Sequence, residues 1–144
     1  MIVANVTGLE ALQEALTNLE PKLQRKSIKD AILAAAQPII EDAKAKAPVL
    51  QVPTPERYPG ELRDSINVSV KSKKNFISAR IGPERVKGDS NQTPATYGLV
   101  MEFGGKHWRK QPYMRPAFDA KNGAALDTFV ATLTTEVEKL AVSK

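Results

Sequence analysis

An α+β fold is expected, with N-terminal helices and a C-terminal helix packed on a small antiparallel β-sheet built around a hairpin. Three observations predict it. A long amphipathic stretch occupies 22–46, two short runs of alternating apolar residues follow at 66–70 and 77–81, and a last apolar stripe runs over 126–140. Helical and strand patterns are segregated along the chain, as expected of a small sheet covered by helices and not of a βαβ array. The 144 residues amount to about one domain. The expected organisation is a single domain over 1–144, with flexible loops near 49–60 and 84–96.

The first helix is announced by Thr7-Gly8-Leu9-Glu10, a capping-box pattern in which a hydroxyl caps the helix and a Glu three residues on reaches back. Leu9, Leu12, Leu16 and Leu19 then recur at spacings of three and four, one helical stripe. Pro21 suits the first turn of the next helix, where its missing amide would have been unpaired anyway. Leu23, Ile28, Ile32, Ala36, Ile39, Ile40 and Ala43 share one face of that helix, and Lys and Glu side chains take the other. Pro38 falls inside it and predicts a kink or two joined helices. Pro48 ends it.

Pro48, Pro53, Pro55 and Pro59 make 49–60 an extended, turn-rich loop. Ile66, Val68 and Val70, and then Ile77, Ala79 and Ile81, alternate with polar residues and read as a hairpin across Ser72-Lys73-Lys74-Asn75. The stretch 84–95 has no periodicity. Tyr97, Val100, Met101 and Phe103 form either a short helix or a strand, broken by Gly104-Gly105. Lys106-His107-Trp108-Arg109-Lys110 is a basic loop around the only Trp. Pro112 and Pro116 each push the residue before them out of the helical region, so Gln111-Pro112-Tyr113-Met114 reads as extended, with Pro116 in the first turn of the last helix. Leu126, Phe129, Val130, Leu133, Val137 and Leu140 are its stripe. Leu62, Ile66, Tyr97, Phe103 and Phe118 are the expected core.

The composition excludes much chemistry. There is no Cys, so no disulfide framework, thiol nucleophile or Cys-based metal site is available. One His, His107, excludes multi-His metal sites. No phosphate-binding glycine loop, no carboxylate set with metal or glycosidase spacing, and no nucleophile motif is present. No catalytic residue, cofactor or metal is therefore expected. Residues 1–6 lack the basic and apolar regions of a signal peptide, and no run is long enough for a membrane span. The net charge of +5 permits attraction to nucleic acid or an acidic partner.

Four stretches, in this order, resemble one family. They are Ala43-Lys44-Ala45-Lys46-Ala47-Pro48; Gly60-Glu61-Leu62-Arg63-Asp64-Ser65-Ile66; Tyr97 with Glu102-Phe103-Gly104; and Pro112-Tyr113-Met114-Arg115-Pro116-Ala117. The chain is similar over roughly 25–120 to the tailed-bacteriophage neck or tail-completion proteins, the group named after the tenth gene product of a lambdoid head-gene cluster. The proline-rich loop at 49–59 is longer than that family's usual connection.

The resemblance implies a structural virion protein of a tailed phage or prophage, assembled in the host bacterial cytoplasm. It would form a six- or twelvefold ring that joins or completes the tail at the head–tail interface. The implied partners are further copies of the chain, the head connector, and the tail tube or tail terminator, with DNA passing through the lumen and no membrane. Arg63, Glu102, Lys106, Trp108, Arg109 and Arg115 are the candidate subunit or partner interface. Arg63, Glu102 and Arg115 pair either within one subunit or across two. Two rival readings use the same residues. One is a DNA-binding module in which Trp108 stacks between cations; the other is a different tail component, such as a tail terminator.

Overall fold

The computed structural model describes residues 6–49, 58–84 and 93–142. Five helices and one hairpin follow in the order α1 (Val6–Thr17), α2 (Pro21–Lys46), α3 (Glu61–Ser65), β1 (Ile66–Ser72), β2 (Ile77–Pro83), α4 (Pro94–Phe103) and α5 (Met114–Val142). The α+β class is the expected one. Most of the 49–60 and 84–96 loops lies outside the described residues.

The centre of the molecule is the pairing of α2 with α5. One buried cluster joins Ala36, Ile40 and Ala43 of α2 to Tyr113 and Ala117 at the start of α5. A second joins Ala31 to Leu133 and Val137, near the end of α5. Early α2 thus meets late α5, and the two helices run antiparallel. The alanines matter here: Ala31, Ala43 and Ala117 are fully buried, and their small side chains let the two backbones approach closely. Leu19 caps the second cluster, with Leu12 and Leu16 packed against it. The leucine stripe of α1 therefore packs within the subunit.

α2 begins with Pro21 in its first turn and is followed by Ala47 in an extended conformation, as Pro48 requires. It runs through Pro38 without interruption, so the two-helix alternative does not hold. The missing amide removes one bond to the preceding turn, and packing against α5 and the hairpin holds the rest. α1 starts at Val6, which places Thr7 inside the first turn and not at the cap.

β1 and β2 pair antiparallel with Val68 opposite Ile81 and Val70 opposite Ala79. Val68 and Ile81 pack toward the α2 cluster. The hairpin tip is tied to α2 by the Arg25 guanidinium, which donates to the Lys74 carbonyl at 3.0 Å.

The stretch around Tyr97 is a helix. α4 starts at Pro94, within the stretch expected to be loop, and Thr93 Oγ1 accepts the Thr96 amide as its cap. This geometry corrects the core assignment. Leu62 and Ile66 are buried and Tyr97 packs against the cluster, but Phe103 is 72% exposed and Phe118 53% exposed. On α4 the inward face carries Tyr97 and Met101, one turn apart, so Leu99 and Phe103 fall on the outward face. On α5 the buried residue is Ala117, and its neighbour Phe118 is turned about 100° away from it. Leu126 of the last stripe is also exposed.

A candidate assembly surface at the α4–α5 junction

The junction is built on one carboxylate. Glu102 stands near the end of α4, and α5 starts at Met114. The first amides of a helix have no partner within it. Glu102 supplies one: Oε2 accepts from the amides of Tyr113 at 2.8 Å and Met114 at 2.9 Å, and Oε1 accepts from Arg115 at 3.0 Å. A negative charge also complements the positive end of the helix dipole. Thus α4 caps α5 across an eleven-residue separation.

Between them the chain makes a tight excursion. The Gly104 amide donates to Val100 at 2.7 Å and closes α4, with Gly104 at φ 80, a backbone region that L side chains rarely adopt. Gly105 and Trp108 exchange bonds of 3.0 and 3.3 Å, and Gln111 N–H returns to the Met101 carbonyl at 2.6 Å. The turn at 106–110 is held from both ends, and its cations project into solvent. Trp108 is 63% exposed. It does not anchor its own loop in the core.

Tyr113 fills the interior below Glu102 and is almost fully buried. Burial raises its phenol pKa well above the usual value of about 10, and the nearby Glu102 charge raises it further. The neutral phenol is favoured in the folded protein, while the unfolded chain ionises near pH 10. Stability from this group is intact below about pH 10 and is lost as pH climbs above that value toward the raised one. Alkaline titration followed by circular dichroism should show unfolding beginning above about pH 10. The onset should move upward in Tyr113→Phe if that variant retains the fold at neutral pH.

Beside the junction runs an open groove. Its larger part has a volume of about 680 Å3 and is bounded by Ile39, Ile81, Leu99, Phe103, Tyr113 and Phe118, with Arg80, Arg115 and Asp119 at its polar edges. A second part of about 300 Å3 continues along α2 and α5 past Ala35, Ala125 and Phe129. Leu99, Phe103 and Phe118 give this side of the molecule a contiguous exposed apolar character, the mark of an interaction surface.

The structure brings five of the six candidate residues to this corner. Glu102 and Arg115 line the groove, and Lys106, Trp108 and Arg109 occupy the adjoining turn. Arg63 stands apart on α3 and pairs with its neighbour Asp64 at 3.0 Å, with both side chains about half exposed. Among the described residues, neither arginine side chain pairs with Glu102, whose carboxylate is committed to backbone amides. The intra-subunit ion pair is therefore replaced by a helix cap. Leu99 and Arg80 were not singled out by the sequence, while Phe103 and Phe118 were assigned to the core. The available signal was the helical spacing of Leu99 and Phe103, which separates them from Tyr97 and Met101.

The capped junction and the apolar groove beside it are the surface features this α+β fold presents. The model of the family described as "Bacteriophage HK97-gp10, putative tail-component" matches residues 10–104, and the chain belongs to this HK97-gp10-like family of bacteriophage tail components. No curated protein and no solved structure matches the chain. Among the described residues, no helix is long and apolar enough to cross a membrane.

Proposed function

We propose that this chain is a structural virion protein that assembles as a ring and joins or completes the tail at the head–tail interface. The observation that carries this reading is the exposed apolar groove at the α4–α5 junction, in a chain of a tail-component family. A groove and a projecting turn on one chain are different surfaces. When each meets its counterpart on the next copy the contact is heterologous, and it closes into a ring if the rotation between copies divides a full circle. Partners in this reading are the head connector on one side and the tail tube or terminator on the other. The exposed cations at 106, 109 and 110 are suited to phosphate contacts where DNA passes.

Native mass spectrometry and negative-stain microscopy of the purified chain, with and without connector or tails, test this. A closed six- or twelvefold particle that adds to either partner is expected. A chain that stays monomeric at every concentration and binds neither partner would overturn the proposal. Trp108→Ala should leave the melting temperature within about 2 °C, because the side chain is mostly in water. It should nonetheless shift the oligomer toward smaller species.

A further inference from the structure

Two basic stretches far apart in the sequence meet at one end of the molecule. The first lies on α2, where Lys22, Arg25, Lys26 and Lys29 recur at spacings of three and four and so share one face of its first turns. The second is the hairpin, which carries Lys71, Lys73 and Lys74 around its tip and has no carboxylate from Ser65 to Pro83. The Arg25 guanidinium, donating to the Lys74 carbonyl at 3.0 Å, joins the two. Six of these seven side chains are exposed, and Lys29 is half-buried. Among the described residues none of the seven is in an ion pair, and Asp30, one turn from Lys26, pairs with none of them. Their seven charges exceed the net +5 of the whole chain, so the basic excess is concentrated here.

The fold does not account for this charge. Cations in the first turns of a helix oppose the positive end of its dipole, where carboxylates are favoured, and the first turn of α2 has no acidic residue. Like charges on adjacent elements repel. Lysines also blunt sheet edges, but the cations on α2 protect no edge. Charge held against those penalties is matched by something outside the subunit. A protein partner would meet an apolar centre within a polar rim. Here the exposed aromatic at the tip, Phe76, has the Lys73 ammonium over its ring at 5.5 Å. Beside it the strands turn Asn67, Ser69, Ser78 and Arg80 to solvent. Cations, hydroxyls and amides without an apolar centre are the donors that hold nucleic-acid phosphates. Lys22 to Lys29 alone span about 10 Å of helix, a length over which duplex DNA carries about six phosphates.

We propose that the hairpin tip and the start of α2 form one binding surface for the phosphate backbone of duplex DNA, without regard to base sequence. The surface lies at the opposite end of the α2–α5 pair from the Glu102 junction and its basic turn. All seven cations belong to one subunit, so the surface is complete without assembly. In a ring it would recur once per copy.

The test titrates the full chain into two short fluorescein-labelled duplexes of unrelated sequence and reads anisotropy over a range of salt. Both should bind alike, with a dissociation constant between about 10⁻⁴ and 10⁻⁶ M near physiological salt and a log–log salt slope of about −5. Lys73→Glu with Lys74→Glu, and separately Lys22→Glu with Lys26→Glu, should each weaken binding at least about tenfold and flatten that slope by about 2. The α2 pair also places carboxylates at the positive end of the helix, so its melting temperature should hold or rise while affinity falls. Lys44→Glu with Lys121→Glu changes the net charge equally, near the end of α2 and the start of α5, and serves as the control. An equal loss in that control, no binding at low salt, or a strong preference for one duplex overturns the proposal. Tighter binding of polyglutamate than of either duplex puts an acidic protein in place of DNA and overturns it as well. Particle mass in the same solutions keeps the two readings apart. A ring indifferent to DNA overturns this inference alone, and a monomer that binds DNA as expected supports it while overturning the ring.

Discussion

Replacing Glu102 with alanine is expected to lower stability by about 2–3 kcal/mol, although the residue lies on neither α5 nor the main hydrophobic cluster. The variant strips the first turn of α5 of its acceptor. Two of the three amides involved, those of Tyr113 and Met114, are in part-buried bonds where water is a poor substitute. The third, at Arg115, is exposed, and water replaces much of what is lost there. A bond to a charged acceptor contributes about 1.5–3 kcal/mol, and loss of a helix cap costs about 0.5–2 kcal/mol. Because the three bonds share one carboxylate, they do not add. For a chain of this size the loss corresponds to a fall in melting temperature of about 6–12 °C. Thermal melting by circular dichroism measures it, and an unchanged midpoint would refute the cap. Glu102→Gln keeps one acceptor oxygen and should recover about half. Glu102→Arg places a cation against the positive end of α5 and should be worse than alanine. A charge reversal at this position therefore confounds fold with assembly, and Trp108 tests assembly more cleanly.

Much of this architecture was legible because periodicity reports burial. The apolar spacing over 22–46 gave α2, the alternation of Ile66, Val68 and Val70 gave β1, and Pro21 and Pro48 gave the limits of α2. The junction was less legible for a specific reason. Glu102 binds backbone amides, which carry no side-chain signature, and the contact spans eleven residues of sequence. Charge alone suggested an arginine partner. Phe103 and Phe118 were assigned to the core on size and hydrophobicity, yet the same apolar character serves a surface that another chain covers. Only the helical phase of α4, too short for periodicity to fix, distinguishes the buried Met101 from the exposed Phe103.

Gly98→Ala is the second substitution expected to have a large effect, and its size comes from geometry and not from backbone conformation. A methyl group at this position would stand 2.4 Å from the Tyr113 hydroxyl oxygen, 2.8 Å from Pro83 Cγ and 2.9 Å from Leu62 Cδ1. Carbon contacts are comfortable at about 3.5–4.0 Å, so all three neighbours would have to move. Tyr113 and Leu62 are fully buried, and Pro83 belongs to the end of β2, so none moves without disturbing another element. The gain in helix propensity from Gly to Ala, about 1 kcal/mol, opposes this. Overpacking of a well-filled core costs about 1–3 kcal/mol, and three simultaneous contacts put this site at the upper end. A net loss of about 1–2 kcal/mol is expected, read as a lower denaturation midpoint at unchanged slope. The cause is separable. Tyr113→Phe deletes the atom that makes the closest contact, so the double variant should be more stable than the sum of the two single effects predicts. Strict additivity would locate the strain at Pro83 or Leu62 instead. Either result bears on assembly, because Gly98 sets how closely α4 approaches β2, and with it the width of the groove.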